Sequence, residues 1–298
     1  SVVSFPLDNS SAAEGLSVSG PTHMPGVRDT RYFDGVLTKE ECDSLVEGIS
    51  SSQHLSFWNS DESKKESARL FRDADTIEVE SPAFAEYMWQ RIAPLLDLKN
   101  ITIDQEEGDP RWERELVGTW EPYGLNSDML FARYCPGGHF APHTDGRAIR
   151  DFNCRSFYSV IVYLNTIPVG GGGGTRFYVD GAIEELRPDG GEGANKWTGR
   201  AELVTGTVDP VAGRLLAFEQ SLVHEGVPPI GDHCKFIIRS DVMYARTPPV
   251  CNLPRDIEAY RLFRHAEELG EAGRVDESIP IFRKAIKLSP DMAVMMGH

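Results

Sequence analysis

Residues 131–146 read Phe131-Ala-Arg-Tyr-Cys-Pro-Gly-Gly-His139-Phe-Ala-Pro-His143-Thr144-Asp145-Gly146. A β-rich run leads through a Pro-Gly-Gly turn into a second extended run. In an extended chain, residues two apart point to the same side, so His143 and Asp145 offer an imidazole and a carboxylate to one point. A strand delivers two adjacent ligands to a metal in this way.

Short apolar runs with turns between them extend on both sides of this stretch: Met129–Cys135, Phe157–Leu164, Thr175–Val179, Ala201–Val208, Arg214–Phe218 and Lys235–Tyr244. Many short strands at this spacing predict a sandwich or jelly roll rather than a parallel sheet with crossover helices. The Gly- and charge-rich stretch 187–200 reads as a surface insertion. Gly170–Gly174 lacks the Lys-Ser/Thr of a phosphate loop and reads as a tight hairpin.

One later run, Leu215-Leu-Ala-Phe-Glu-Gln-Ser-Leu-Val-His224-Glu-Gly-Val-Pro-Pro, ends an apolar strand on a histidine before a Gly/Pro turn. Two histidines and one carboxylate on separate strands match the facial ligand set of non-haem Fe(II) oxygenases. The next strand carries Lys235 and Arg239 with the same parity, so both are expected to point inward. A buried cation needs a counter-charge, and a dicarboxylate cosubstrate would supply one.

Helices flank the β region. Thr38 and Glu41 form a capping box ahead of Cys42, Leu45, Val46 and Ile49, predicting a helix over 39–50. Ser81-Pro82 opens a second helix with Phe84, Met88, Ile92 and Leu95 on one stripe, and Pro94 is expected to bend its end. The stretch 59–69 is polar and charged and reads as a loop. Residues 1–26 read as a tail or wrapping arm, 27–250 as one domain and 255–298 as a helical hairpin. Within 255–290, Leu262, Ala266, Leu269, Gly273, Ile279, Phe282, Ala285 and Pro290 resemble one tetratricopeptide repeat. Ser278 stands where that family usually has alanine. An ordinary helical hairpin reads as well.

The chain of 298 residues is long enough for a substantial core. It carries a formal charge of -16, with 46 Asp and Glu against 30 Lys and Arg. That balance opposes nucleic-acid binding, and no apolar run reaches the ~20 residues of a membrane span. Neither nucleic acid nor membrane is therefore expected as a partner. Five widely spaced cysteines without CxxC argue against a disulfide framework or structural zinc and fit a cytoplasmic or nuclear protein.

Over about 30–246 the sequence resembles the Fe(II)/2-oxoglutarate-dependent dioxygenases of the prolyl 4-hydroxylase-like branch. The resemblance rests on Leu37-Thr-Lys-Glu-Glu-Cys-Asp-Ser-Leu, the 133–146 stretch, Ser159-Val-Ile-Val-Tyr163-Leu164-Asn165 and Gly173-Gly-Thr175-Arg176-Phe177. It continues through Gly213-Arg-Leu-Leu-Ala-Phe218 and His224-Glu-Gly-Val-Pro. It implies an α+β chain built on a double-stranded β-helix (jelly roll), with flanking helices and a small C-terminal helical hairpin. It also implies that His143, Asp145 and His224 bind Fe(II), and that Tyr134, Tyr163 and Thr175 line the 2-oxoglutarate pocket.

The family's anchoring cation lies about ten residues past the distal histidine. Lys235 lies eleven on and is favoured, with Arg239 as rival or helper. Oxidative decarboxylation of 2-oxoglutarate by O2 would then hydroxylate a C–H bond, with ascorbate as reductant. Asp145 favours hydroxylation, since halogenating relatives lack that carboxylate. Arg176, Arg147, Trp197 and His139 are candidate substrate contacts, and Trp120, Tyr123 and Phe140 candidate groove walls. The expected substrate is a protein or peptide residue, proline first. The alternatives are a free amino acid or other small molecule, or a non-catalytic interaction or sensor protein acting through the hairpin.

Overall fold

The computed structural model describes residues 16–52, 54–61, 65–104, 113–179, 183–186 and 196–298. The chain divides into two compact units. The first comprises Ser1–Asp97, Gly124–Gly146 and Phe157–Val242, and the second Leu98–Tyr123, Arg147–Ser156 and Met243–His298.

In chain order the elements begin with β1 (Ser19–His23), β2 (Arg31–Asp34), α1 (Lys39–Ser51), β3 (Ser56–Phe57), α2 (Lys65–Phe71), β4 (Asp75–Glu80) and α3 (Pro82–Leu96). There follow β5 (Ile101–Ile103), β6 (Gly118–Leu125), β7 (Asp128–Tyr134), β8 (Phe140–His143), β9 (Ile149–Asp151), β10 (Cys154–Tyr163) and β11 (Thr175–Tyr178). The remainder is β12 (Ile183–Leu186), β13 (Lys196–Gly199), β14 (Val204–Val208), β15 (Leu215–Glu219), β16 (His224–Gly226), β17 (Lys235–Arg246), α4 (Pro254–Glu271), α5 (Val275–Leu288) and α6 (Pro290–Met295).

In the first unit, β15-β10-β17-β7 lie side by side in a large sheet, and β14-β11-β16-β8 make a second sheet. Along the chain β7, β8, β10 and β11 pass alternately between the large and the second sheet, β14 stays in the second, and β15, β16 and β17 alternate again, which is the winding of a jelly roll. Alternation along each strand sends Tyr134, Ile161, Tyr163, Phe177, Leu216, Phe218 and Ile237 into one shared core.

The opposite face of the large sheet is covered by α3. Phe84, Met88 and Ile92 meet Met129, Val160, Val162, Leu215 and Ile238, each buried side chain contributing about 1.5–3 kcal/mol. Ser81 caps α3 by accepting from the Phe84 amide at 3.4 Å, and the helix runs through Pro94 to Leu96. The capping box on α1 is complete: the Glu41 amide donates to Thr38 at 3.1 Å, and the Thr38 amide donates to Glu41 at 2.7 Å.

Two stretches differ from the sequence reading. Part of the loop read at 59–69 is helix α2, a two-turn element too short for periodicity to reveal. Within the stretch read as a tail or wrapping arm, β1 pairs antiparallel with β2. The insertion read at 187–200 contains β13, paired with β12; residues 187–195 lie outside the described residues.

The second unit has its own core. Trp120, fully buried, lies under the guanidinium groups of Arg246 and Arg155, 4.4 and 5.5 Å from its ring, and its indole donates to the Leu116 carbonyl at 2.8 Å. Trp120 is thus a core residue and not a groove wall. Helices α4 and α5 pack as a pair, and with α6 they bury Tyr260, Phe263, Ala285 and Met292 around Phe152. The Ser278 hydroxyl donates to the Ala266 carbonyl at 2.8 Å, which accounts for a serine at a crowded helix contact. No helix among the described residues is long and apolar enough to cross a membrane.

Candidate metal centre

Strand β16 pairs with β8 so that His224 stands opposite His143. Asp145 lies two residues beyond His143, its amide donating to the Gln220 carbonyl at 3.0 Å. The three side chains converge, and their ligand atoms lie within 4.8 Å of one another. His143 Nε2 is 3.6 Å from Asp145 Oδ1, and His224 Nε2 is 3.7 Å from Asp145 Oδ2.

Each imidazole is locked from behind. His143 Nδ1 lies 2.8 Å from the Ala141 carbonyl, and His224 Nδ1 lies 3.0 Å from the Leu222 carbonyl. A carbonyl only accepts, so each Nδ1 carries the proton and each Nε2 turns a lone pair to the shared point. Phe140 stacks on His143 at 3.5 Å, and Phe218 meets His224 edge-on at 4.6 Å. Burial pushes His224 down to about 4, with the neighbouring His143 acting in the same direction, so it is neutral at pH 7.

The carboxylate is equally constrained. Ser159 donates to Asp145 Oδ2 at 2.6 Å, and Arg239 Nη2 lies 3.3 Å from Oδ1. Burial alone would raise the Asp145 carboxyl, but His224, Arg239 and His143 hold it well below the usual carboxylate range. Two imidazoles and one carboxylate suit Fe(II) and related divalent metals. Their separations are ones that bonds of about 2 Å to a shared ion can bridge.

Lys235 and Arg239 occupy one strand with one parity, yet they do different work. Arg239 is engaged by Asp145 and, at 3.1 Å, by Asp241. Asp241 in turn accepts from Gln220 at 2.8 Å. Lys235 is buried, its Nζ 4.3 Å over the Tyr134 ring, and among the described residues no carboxylate pairs with it. Burial pushes Lys235 down to about 7, and the nearby Arg72 guanidinium acts in the same direction. A Cβ on Gly226 would stand 3.5 Å from Lys235 Nζ and 3.3 Å from Phe140 Cβ, so glycine there keeps open the space beside the ammonium.

Arg72 escaped the sequence reading. It follows α2, its carbonyl accepts from the Trp58 indole at 2.6 Å, and its guanidinium lies 4.7 Å over Phe140. Its Nε is buried without a partner among the described residues. Lys235 and Arg72 are thus neighbouring cations, and among the described residues no carboxylate pairs with either, a charge pattern suited to an anionic ligand. The only sequence signal was a lone arginine after a charged stretch.

The other candidates fall in several places. Tyr163 is fully buried, its hydroxyl 2.6 Å from that of Thr175, and burial raises it above its ordinary value. Tyr134, Tyr163 and Thr175 thus line the inside of the roll with Lys235. Arg176 pairs with Glu225 at 2.6 Å across β11 and β16, one residue from the Phe177–His224 pairing and on the opposite strand face. His139 is part-buried in the turn before β8, its ring against the Gly137 and Leu70 carbonyls. Arg147 belongs to the second unit and pairs there with Glu113 at 2.9 Å. Trp197 lies on β13, whose backbone runs near β8; its side chain lies outside the described residues. Tyr123 is half-exposed in the second unit, with its hydroxyl on Cys154 Sγ at 2.8 Å.

Residues 129–240 match the family model of the 2OG-Fe(II) oxygenase superfamily. Among curated proteins none matches the chain. Among solved structures it is similar to a viral collagen prolyl hydroxylase of Paramecium Bursaria Chlorella virus-1 in complex with 2OG. The identity is 17%, the TM-score 0.41, and 75% of this chain and 99% of that one are covered. It is also similar to a Pseudomonas putida prolyl-4-hydroxylase (16%, TM-score 0.41, 80% and 96% covered). A third is a Trichoplax adhaerens prolyl hydroxylase in complex with a hypoxia inducible factor peptide fragment (16%, TM-score 0.42, 80% and 86% covered).

Proposed function

We propose that this chain, whose residues 129–240 match the 2OG-Fe(II) oxygenase superfamily, is a hydroxylase of a peptidyl C–H bond, with proline as the first candidate residue. The observation that carries the reading is the convergence of His143, Asp145 and His224 together with a buried Lys235 to which no carboxylate among the described residues pairs. Fe(II) held with 2-oxoglutarate supplies the coupling of O2 reduction and oxidative decarboxylation to oxygen insertion into a C–H bond.

In this reading His143 and His224 bind the metal through Nε2 and Asp145 through its carboxylate. Ser159 and Arg239 fix the plane and charge of that carboxylate, as outer-shell partners do at metal sites. Lys235 holds the distal carboxylate of 2-oxoglutarate by a charge-assisted hydrogen bond, with the Tyr134 face beneath its ammonium and Tyr163 and Thr175 on the pocket wall. Phe177 and Phe218 exclude water from the inner side of His224.

A peptide substrate is supported by the aromatic row that leads away from His143. Phe140 stacks on that ring, Phe71 meets Phe140 at 5.1 Å, and Trp58 meets Phe71 at 6.5 Å. Rigid, apolar prolyl rings dock against aromatic side chains in proline-recognition sites.

The test is aerobic incubation with Fe(II), 2-oxoglutarate, ascorbate and a panel of proline-containing peptides. Expected are Fe(II)-dependent succinate and a peptide heavier by one oxygen, both lost in His143→Ala. Succinate coupled only to free amino acids or other small molecules would move the substrate class, and no succinate with any substrate would remove the reading.

A further inference from the structure

Strands β7 and β17 are paired with Tyr134 opposite Lys235. Those two side chains point into the roll. The residues one step beyond the last paired position, Cys135 and Cys234, therefore face each other on the outer side. Cys135 is exposed and Cys234 partly so. The Cys135 thiol stands near enough to act on the Cys234 thiol.

Both backbones are pinned. The Asn165 side chain donates to the Cys234 carbonyl at 2.8 Å and accepts from the Phe236 amide at 2.8 Å. The Gly138 amide donates to the Cys135 carbonyl at 2.7 Å, and the Gly137 amide to the Pro229 carbonyl at 3.1 Å. Glycine is required at 138, where a Cβ would stand 2.9 Å from the Cys135 oxygen and 2.8 Å from the Asp73 oxygen.

Directly opposed residues of an antiparallel pair have Cα atoms about 4.5–5.5 Å apart, inside the window of about 4.4–6.8 Å that a disulfide spans. Beside Cys135 lies a cleft of about 170 Å³ lined by Arg69, Arg133, Asp73 and Asp75. Burial and the Cys135 contact push the Cys234 thiol up, while the Arg133 guanidinium acts the other way.

We propose that Cys135 and Cys234 are a paired-thiol modification site that reacts with small-molecule disulfides such as oxidised glutathione and closes a reversible cross-strand disulfide on the outer face of β7 and β17. The Cys135 thiolate attacks one sulfur of oxidised glutathione, forming a Cys135–glutathione disulfide and releasing a glutathione thiolate. The Cys234 thiolate then attacks the Cys135 sulfur, the Cys135–Cys234 bond forms, and a second glutathione thiolate leaves. The two protons lost by the cysteines protonate the two departing thiolates, so two protein thiols are oxidised as one glutathione disulfide is reduced. The remaining cysteines serve as internal controls: Cys42 is buried and its thiol pushed up to about 12, Cys154 meets the Tyr123 hydroxyl, and Cys251 meets Met295.

The test uses the full chain, reduced and then incubated with oxidised glutathione, read by thiol titration and peptide mass mapping. Two of the five thiols are expected to disappear, one cross-linked peptide to join Cys135 with Cys234, and dithiothreitol to restore both. Cys234→Ser is expected to accumulate one glutathionyl group at Cys135, and Cys135→Ser to leave Cys234 without a cross-link. Five titratable thiols after incubation, or glutathionyl groups spread evenly over Cys135, Cys154 and Cys251, would overturn the proposal. The readout is covalent, so it does not depend on the oxygenase reading.

Discussion

His143 and His224 stand directly opposite each other across the β8–β16 ladder, their ring centroids 4.3 Å apart. Register alone therefore aligns two ligands that are 81 positions apart in sequence. Displacing either strand by one residue would turn one imidazole to the outer face. The ladder is thus as much a part of the centre as the rings.

Asp145 satisfies Ser159 and Arg239 as well as facing both histidines. Asp145→Ala leaves a buried guanidinium and a hydroxyl without that partner and is expected to destabilise the chain by about 1–3 kcal/mol. Chemical denaturation without added metal checks this. Asp145→Asn, which keeps the shape and the hydrogen-bond acceptor, is expected to lose less stability while still weakening metal binding about tenfold or more.

Lys235 yields a prediction with two opposite signs. Its ammonium is buried, with no carboxylate paired to it among the described residues, and burial lowers its folded-state value to about 7 from an ordinary 10.5. Between those values the unfolded chain binds more protons, so the stability of the ligand-free protein should rise with pH from about 7 toward about 10. Lys235→Met should raise ligand-free stability by about 1–3 kcal/mol and abolish 2-oxoglutarate binding. Thermal unfolding and calorimetry read the two effects separately. Above pH 7, binding by the parent protein should take up protons, visible as a dependence of the binding heat on buffer ionisation.

Arg72 shares the same electrostatic space. Arg72→Gln is expected to weaken 2-oxoglutarate binding about three- to tenfold, the worth of one partly screened cation, and to raise the titration point of Lys235. Calorimetry across pH measures both.

Trp120 belongs to the second unit's core. Trp120→Ala is expected to cost about 3–5 kcal/mol of stability, measurable by denaturant titration.

The centre was readable in sequence because extended chain imposes a period of two: His143-x-Asp145 needs no tertiary information, and His224 stands out at the end of an apolar strand before a Gly/Pro turn. The same period could not separate Lys235 from Arg239. Both have one parity, and only the packing of strands shows Arg239 held by Asp145 and Asp241 while Lys235 rests on Tyr134. Arg72 was illegible because the short helix before it has no sustained periodicity and because Trp58, which holds the Arg72 carbonyl, is fourteen residues away. The pairing of Cys135 with Cys234 follows from the β7–β17 register, which spacing along the chain does not encode.

The most direct measurement is anaerobic titration of the purified chain with Fe(II) in the presence of 2-oxoglutarate, followed by calorimetry and metal analysis. One ferrous ion per chain is expected for the parent protein and none retained by the His143→Ala, Asp145→Ala or His224→Ala variants, each checked as folded by circular dichroism. Equal ferrous binding by the parent and all three folded variants would contradict that expectation.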